Sequence, residues 1–197
     1  MSASENPIVL AFSGGLDTSF CIPWLKETYG RPVVSVTVNT GGIDAAAAAK
    51  LDERARALGA ADHRLVEARP EFFDTVLKYL IMGNVRRGNM YPLSVGAERG
   101  LQAKYLAKLA KELGSDTVAH GCTAAGNDQV RFEIVLKAVA PELAILAPVR
   151  DHAWQRPAQV KFLEERKMPV PTRGSAYSTN RGLWGVTIGG TETLDSK

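Results

Sequence analysis

A chain of 197 residues can bury a sizeable core in one or two domains, and its composition is that of an ordinary globular protein. Lys and Arg number 24 against 21 Asp and Glu, a net charge of +3 that suits a small anionic ligand; with no basic run, it argues against a nucleic-acid surface. The two cysteines, Cys21 and Cys122, form neither a CxxC pair nor a metal-ligand spacing, so free thiols and a reducing compartment are expected. Met1 to Asn6 lacks a basic n-region, and the apolar run behind it is too short for a signal peptide or a membrane span, which points to the cytoplasm.

Ile8 to Phe12 is an apolar run that reads as a buried parallel strand. Ser13-Gly14-Gly15 breaks it, and Asp17, Thr18 and Ser19 stand where a helix begins. Strand, glycine turn and helix N-terminus together make an anion cradle. The glycines admit backbone N–H groups to an oxyanion, the helix start adds orphan donors and a positive dipole end, and the hydroxyls of Ser13, Thr18 and Ser19 donate without adding charge. Phosphate or pyrophosphate is the expected ligand. Asp17 reads either as the helix N-cap or as a shaper of the phosphate and metal site.

The helix runs from Thr18 to Tyr29 and stops at Gly30. Val33 to Val38 is a β-branched strand, followed by the loop Asn39-Thr40-Gly41-Gly42. Asp44 caps a helix reaching Leu58, with Leu51, Ala55 and Leu58 on one face. His63 to Val66 is a short strand. Pro70 to Met82 is a helix with Phe72, Phe73, Val76, Leu77 and Leu80 inward. Gly83 to Leu93 is irregular, and Arg86 and Arg87 read as a solvated loop. Leu101, Tyr105, Leu109 and Leu113 form the core stripe of the next helix, which Gly114 ends. Thr117 to His120 is a strand leading into a second glycine-bearing loop, Gly121 to Asn127. Asp128 to Ala138 is a helix, Leu143 to Ala147 a strand and Gln155 to Lys167 a helix; Pro169 and Pro171 mark a boundary, and Gly185 to Ile188 is a further strand. The alternation predicts an α/β fold, a doubly wound parallel sheet with helices on both faces, binding its ligand outside the strands' C-terminal ends.

On the second loop, Asp128 and Arg131 are three apart on one helix face. Arg131 can grip a carboxylate and Asp128 can accept from an ammonium; the plainer alternative is an intrahelical ion pair with Asn127 as a cap. His120 reads as a buried strand-end residue and Cys122 as a small filler. His63 and His152 carry no signal.

The first loop is no Walker A, since GxxxxGK[ST] is absent, and there is no GxGxxG. Ser13-Gly14-Gly15-Leu16-Asp17-Thr18-Ser19 resembles the pyrophosphate loop of the N-type ATP pyrophosphatases. His120-Gly121-Cys122-Thr123 with Gly126 to Glu133 resembles the second signature of argininosuccinate synthase, and Tyr177-Ser178 with Leu183-Trp184-Gly185 the start of its third block. The similarity runs along essentially the whole chain and covers about the N-terminal half of a usual family member.

The resemblance implies an adenine nucleotide alpha hydrolase-like fold: an ATP-binding PP-loop domain over residues 1–168 and the beginning of a synthetase domain over 169–197. It implies a ligase that adenylates citrulline with ATP, Mg²⁺ travelling with the nucleotide, and then joins the product to aspartate. It implies nucleotide contacts from Ala11, Phe12, Ser13, Gly14, Gly15, Leu16, Asp17, Thr18, Ser19, Val38 and Gly121. Aspartate would meet Thr123, Asn127 and Asp128; citrulline would meet Tyr91, Asn127, Arg131, Ser178 and Thr187. Asp17, Asp128 and Arg131 are the catalytic candidates, and no metal-ligand set is expected. The partners are citrulline and aspartate, with no nucleic acid or membrane; a homo-oligomer, or a C-terminal half that completes the citrulline pocket, is the expected assembly. Three positions depart from the family pattern: Ala124 stands for a usual Gly, which would strain a left-handed backbone; Val38 stands for a smaller Ala and would crowd the adenine; and Asn180-Arg181 replaces an acidic-Asn pair. The alternatives are another ATP pyrophosphatase of this loop class and a non-catalytic or partner-dependent ATP-binding fragment.

Overall fold

The chain's β-branched and apolar runs form one parallel sheet of five strands: β1 (Ile8–Ala11), β2 (Val33–Asn39), β3 (Asp62–Glu67), β4 (Thr117–Ala119) and β5 (Ala144–Leu146), in the order β3-β2-β1-β4-β5. This computed structural model describes residues 6–86, 88–89, 93–124, 126–171 and 178–189; of residues 94, 95, 178, 179 and 187–189 only the backbone is described. The helices are α1 (Leu16–Tyr29), α2 (Ala45–Ala57), α3 (Arg69–Phe72), α4 (Lys78–Met82), α5 (Ser94–Glu112), α6 (Asp128–Val139), α7 (Pro148–Asp151) and α8 (Arg156–Glu165). An antiparallel hairpin of β6 (Ser178–Arg181) and β7 (Val186–Gly189) follows.

β1 is central, and its side chains alternate between the two faces as strand geometry requires. Ile8 and Leu10 join a core with Phe20, Ile22 and Leu25 of α1 and Leu163 of α8. Val9 joins Leu106 and Ala110 of α5 and Leu136 of α6. After β3 the chain crosses back past β1 to place β4 on its other side. Strand order therefore reverses between β1 and β4, and their C-terminal ends flank the crevice where such sheets take ligands.

The expected elements are present with shifted ends. Helix α1 begins at Leu16, two residues before the predicted start, with Gly15 as its N-cap. Asp17 is inside the first turn, so its N-cap reading is corrected. Asp44 does cap α2, accepting from Ala47 N at 2.8 Å.

Two expectations about buried faces are corrected. The predicted helix from 70 to 82 is α3, a π-helical turn over Phe73–Leu77, and α4. In a π turn the hydrogen bond spans five residues, not four. Phe72 and Leu77, five apart, thus share the inward face at 0% and 1% exposure, while Phe73 turns out to 45%. On α5, the centre of the buried face is Ala103, Leu106, Ala107 and Ala110. Steps of four residues drift about 40° each on a 3.6-residue helix. Leu101 and Tyr105 therefore pack with Phe72 and Leu77, and Leu109 and Leu113 lie at the edge of the α5–α6 core.

The π turn makes a sharp distinction between adjacent phenylalanines. Phe72→Ala should cost about 3–5 kcal/mol of stability, and Phe73→Ala less than about 1 kcal/mol. Urea unfolding of the two variants measures the difference; equal losses would contradict the turn.

Candidate functional site

The first loop is held in shape by its own hydroxyls. Ser13 N donates to Thr18 Oγ1 at 3.3 Å, the two side-chain oxygens are 3.2 Å apart, and Thr18 Oγ1 donates to Gly15 O at 3.3 Å. Gly14 has φ +73°, and a Cβ there would collide with Leu51 Cδ2. Its carbonyl accepts from Arg54 Nη1 of α2 at 2.6 Å. The loop is thus clamped from α2 while its open side faces the crevice, backed by the orphan N–H groups of the first turn of α1.

The second loop lies directly on the first. A Cβ on Gly121 would come within 2.9 Å of Thr18 Cγ2 and 3.1 Å of Thr18 N, so the end of β4 packs tightly against the start of α1 and a larger side chain there must displace Thr18. His120, 1% exposed, is the buried strand-end residue that was expected. Its Nδ1 accepts from Cys122 N at 3.3 Å, and Nε2 stands 3.5 Å from Glu133 Oε1, the outer limit of a hydrogen bond. Burial lowers the imidazole pKa against the opposing pull of Glu133, favouring the neutral ring. Burial pushes the Cys122 thiol up to about 11, which fits a filler and not a nucleophile.

A cavity of about 850 Å³ opens over these strand ends. Of the residues assigned to nucleotide, Ala11, Phe12, Ser13, Gly15, Asp17, Thr18, Val38 and Gly121 line it; Thr123 and Asp128 line it too. Gly14, Leu16 and Ser19 do not line it. Gly14 is packed on Leu51, Leu16 is 9% exposed in the core beneath, and Ser19 is wholly buried on α1, its hydroxyl finding no partner among the described residues. The earlier start of α1 makes Ser19 the helix's fourth residue, so its side chain belongs to the interior.

Asp128 and Arg131 form the intrahelical pair: Arg131 Nη1 donates to Asp128 Oδ1 at 2.9 Å. Asp128 Oδ2 accepts from Arg99 Nε of α5 at 3.1 Å. Arg131 lies beside Gly96 and, like Asn127, does not line the cavity. Asn127 is the N-cap residue of α6, its carbonyl accepting from Arg131 N at 3.1 Å, though its side chain makes no capping bond. Tyr91 lies outside the described residues. Ser178 and Thr187 are placed by backbone alone, in the hairpin where Ser178 pairs with Gly189 and Thr187 with Asn180. Ala124 is not among the positive-φ residues; the left-handed position of this loop is Gly126, at φ +86°, so the expected strain is not there. Among the described residues, no group of three or more His, Cys, Asp and Glu is placed to hold a metal ion.

Several site residues escaped the sequence. Arg99 reaches Asp128, Gln102 Oε1 at 3.2 Å and Asn180 Oδ1 at 3.2 Å, tying α5, α6 and the hairpin together. The hairpin closes one side of the cavity with Asn180 and Arg181. Its turn sits on the loop after β2: Leu183 N donates to Thr40 O at 3.3 Å, and Cβ atoms on Gly41 or Gly42, both at positive φ, would strike Leu183 or Arg181. Glu98 lies under the same turn, 2% exposed, where a Cβ on Gly182 would overlap its Oε1. That oxygen has no hydrogen-bond partner among the described residues. Burial raises the Glu98 pKa to about 7, with Arg99 opposing and Asp128 adding to the rise. The adjacent Glu98-Arg99 charges at the start of a helix were the available signal; the apolar stripe beyond them drew the reading towards core alone.

Glu98 has a native pKa above its ordinary 4.5, so the folded state holds the extra proton. Its stabilising share is full below about pH 4.5 and lost as pH rises through about 7. Between about pH 5 and 8 the wild type should lose up to about 3 kcal/mol relative to Glu98→Gln. Denaturant titrations of both proteins across that range read the slope; parallel profiles would sink the assignment.

Residues 7–169 match the family model described as arginosuccinate synthase N-terminal HUP domain. The chain is 41% identical over 188 residues to the argininosuccinate synthase of Sulfurisphaera tokodaii, covering 95% of this chain and 48% of that protein. It is 43% identical over 193 residues to that of Xanthomonas campestris pv. campestris, covering 96% and 48%. The chain thus spans about half the length of the curated relatives it matches. A solved structure titled as a predicted subunit of tRNA methyltransferase from Methanocaldococcus jannaschii superposes with a TM-score of 0.55 over 81% of this chain and 75% of that one, at 18% identity, a likeness of fold alone. With its loops in the order and the places that the family motifs require, this chain belongs to the argininosuccinate synthase family, whose N-terminal HUP domain it carries.

Proposed function

We propose that this chain binds ATP in the cavity and serves the ligase chemistry for which its relatives are named: adenylation of citrulline, then condensation with aspartate. One observation supports the reading most. The Ser13–Thr18 loop and the Gly121–Thr123 loop meet at the switch between β1 and β4, where a Cβ on Gly121 would come within 2.9 Å of Thr18. A nucleotide lying along β1 and β2, past Val38, would set its leaving pyrophosphate on Ser13, Gly15 and Thr18. Its α-phosphorus would then stand beside Gly121. Residues 1–168 are the nucleotide domain in this reading and 169–197 the start of the synthetase domain.

The ureido oxygen of citrulline attacks the α-phosphorus, the bond to the β-phosphate's bridging oxygen breaks, and pyrophosphate departs. The amine of aspartate then forms a bond to the activated carbon, and AMP leaves with the oxygen. Such a transfer needs positioning and charge stabilisation more than a protein nucleophile. Asp128, reached by Arg99 and Arg131, presents its carboxylate to the cavity with Thr123 and would take the aspartate ammonium. Arg131, Asn127, Ser178, Thr187 and Tyr91 would hold citrulline; Arg131 keeps further N–H groups for a substrate carboxylate beside the one given to Asp128. Mg²⁺ would arrive on the phosphates, with Asp17 the carboxylate nearest them in the loop. A homo-oligomer, or the rest of the family's length, would complete the citrulline side. No helix among the described residues is long and apolar enough to cross a membrane.

ATP–pyrophosphate exchange with and without citrulline tests the reading. Citrulline-dependent exchange is the expected result. ATP binding without exchange would restrict the chain to a nucleotide-binding module, and no ATP binding would refute the site. Asp17→Ala should abolish exchange with an unchanged far-UV circular dichroism spectrum. Gly121→Ala should weaken ATP binding at least tenfold, because its methyl group must push Thr18 out of place; calorimetric titration with ATP measures it.

A further inference from the structure

Asp17 is gripped from behind by a residue 142 positions away in sequence. Gln159, on α8, is wholly buried. Its Nε2 donates to Asp17 Oδ1 at 2.9 Å and to Trp154 O at 3.1 Å. Both partners are acceptors, so the orientation of the amide is settled by chemistry: the NH₂ end must face them. Its Oε1 has no partner among the described residues.

A half-satisfied amide in a core is a costly choice. A buried carbonyl oxygen left without a donor costs about 1–3 kcal/mol, a cost that a leucine or methionine of similar volume would not carry. The amide gains two bonds in return, to Trp154 O and to the one side-chain acceptor, Asp17. The second bond holds the Asp17 carboxylate by Oδ1 from the side of α8, on a residue that lines the cavity.

We propose that Gln159 is a positioning residue of the phosphate site, holding the Asp17 carboxylate against the repulsion of the nucleotide's phosphates so that it can share their divalent cation. The inference rests on the ATP-binding reading above. A bare carboxylate beside a polyphosphate is driven away by like charge. It stays only if a cation sits between them or if a donor behind it prevents rotation. Magnesium is commonly held in this manner, by one or two carboxylates together with substrate phosphates. One carboxylate on a residue that lines the cavity fits that donor set.

The role has a signature that plain core packing lacks. Calorimetric titration with ATP, in excess Mg²⁺ and in excess chelator, is run on wild type, Gln159→Leu, Gln159→Glu and Asp17→Asn. Wild type should bind ATP more tightly with Mg²⁺. Gln159→Leu should keep its metal-free affinity within about twofold while losing most of the Mg²⁺ gain, because the released carboxylate can swing away. Gln159→Glu, nearly the same shape, should recover the gain only at acidic pH, where the facing carboxylates share a proton. Asp17→Asn should abolish the gain. An unchanged Mg²⁺ gain in Gln159→Leu and Gln159→Glu would overturn the positioning role while leaving ATP binding intact. So would an unchanged gain in Asp17→Asn. Failure of wild type to bind ATP would overturn the reading of the site and the inference together.

Discussion

Gly121 packs tightly on Thr18, a Cβ there coming within 2.9 Å of its side chain and 3.1 Å of its backbone, and the rest of the site follows from that close approach. It brings the loop after β4 onto the N-terminus of α1, at the one place in the sheet where strand order reverses. The orphan N–H groups of α1 and the second loop then face a common space, the condition for holding a polyphosphate at one end and a reacting group at the other. Had strand order continued past β1 without reversal, a helix crossing would cover that space.

The remaining walls are held by contacts of the same kind. Gly41, Gly42 and Gly182 let the hairpin turn settle on the loop after β2 and over Glu98. Arg99 is the electrostatic counterpart, with one guanidinium reaching Asp128, Gln102 and Asn180 from three directions. It offsets the nearby acids, and Glu98, starved of a donor, retains a proton to about neutral pH. The cavity therefore combines the hydroxyls and backbone of the first loop with a mixed-charge end at α5 and α6.

Much of the fold was legible because its signals are local. Glycines ending α1 and α5, Asp44 capping α2 and the β-branched run of β2 each act within a few residues. Legibility failed where periodicity was assumed to be regular. The π turn at Phe73–Leu77 rotates the face by one residue, so Phe73 faces out. The alanines of α5 let it close on the sheet, so its centre is not the leucine stripe that stands out by eye.

Sequence alone determined the strand, glycine turn and helix start around Ser13 to Ser19, the parallel α/β class and the family resemblance of both loops, since each rests on residues adjacent in the chain. Tertiary structure decided which of those residues face the cavity. It sent Ser19 inward, joined Arg99 to the Asp128–Arg131 pair, and brought Gln159, Arg54 and Glu98 to a site that no spacing in the sequence connects to them. The physical reason is that these contacts join segments tens of residues apart. Their geometry exists only once sheet order and helix packing have set which loops meet.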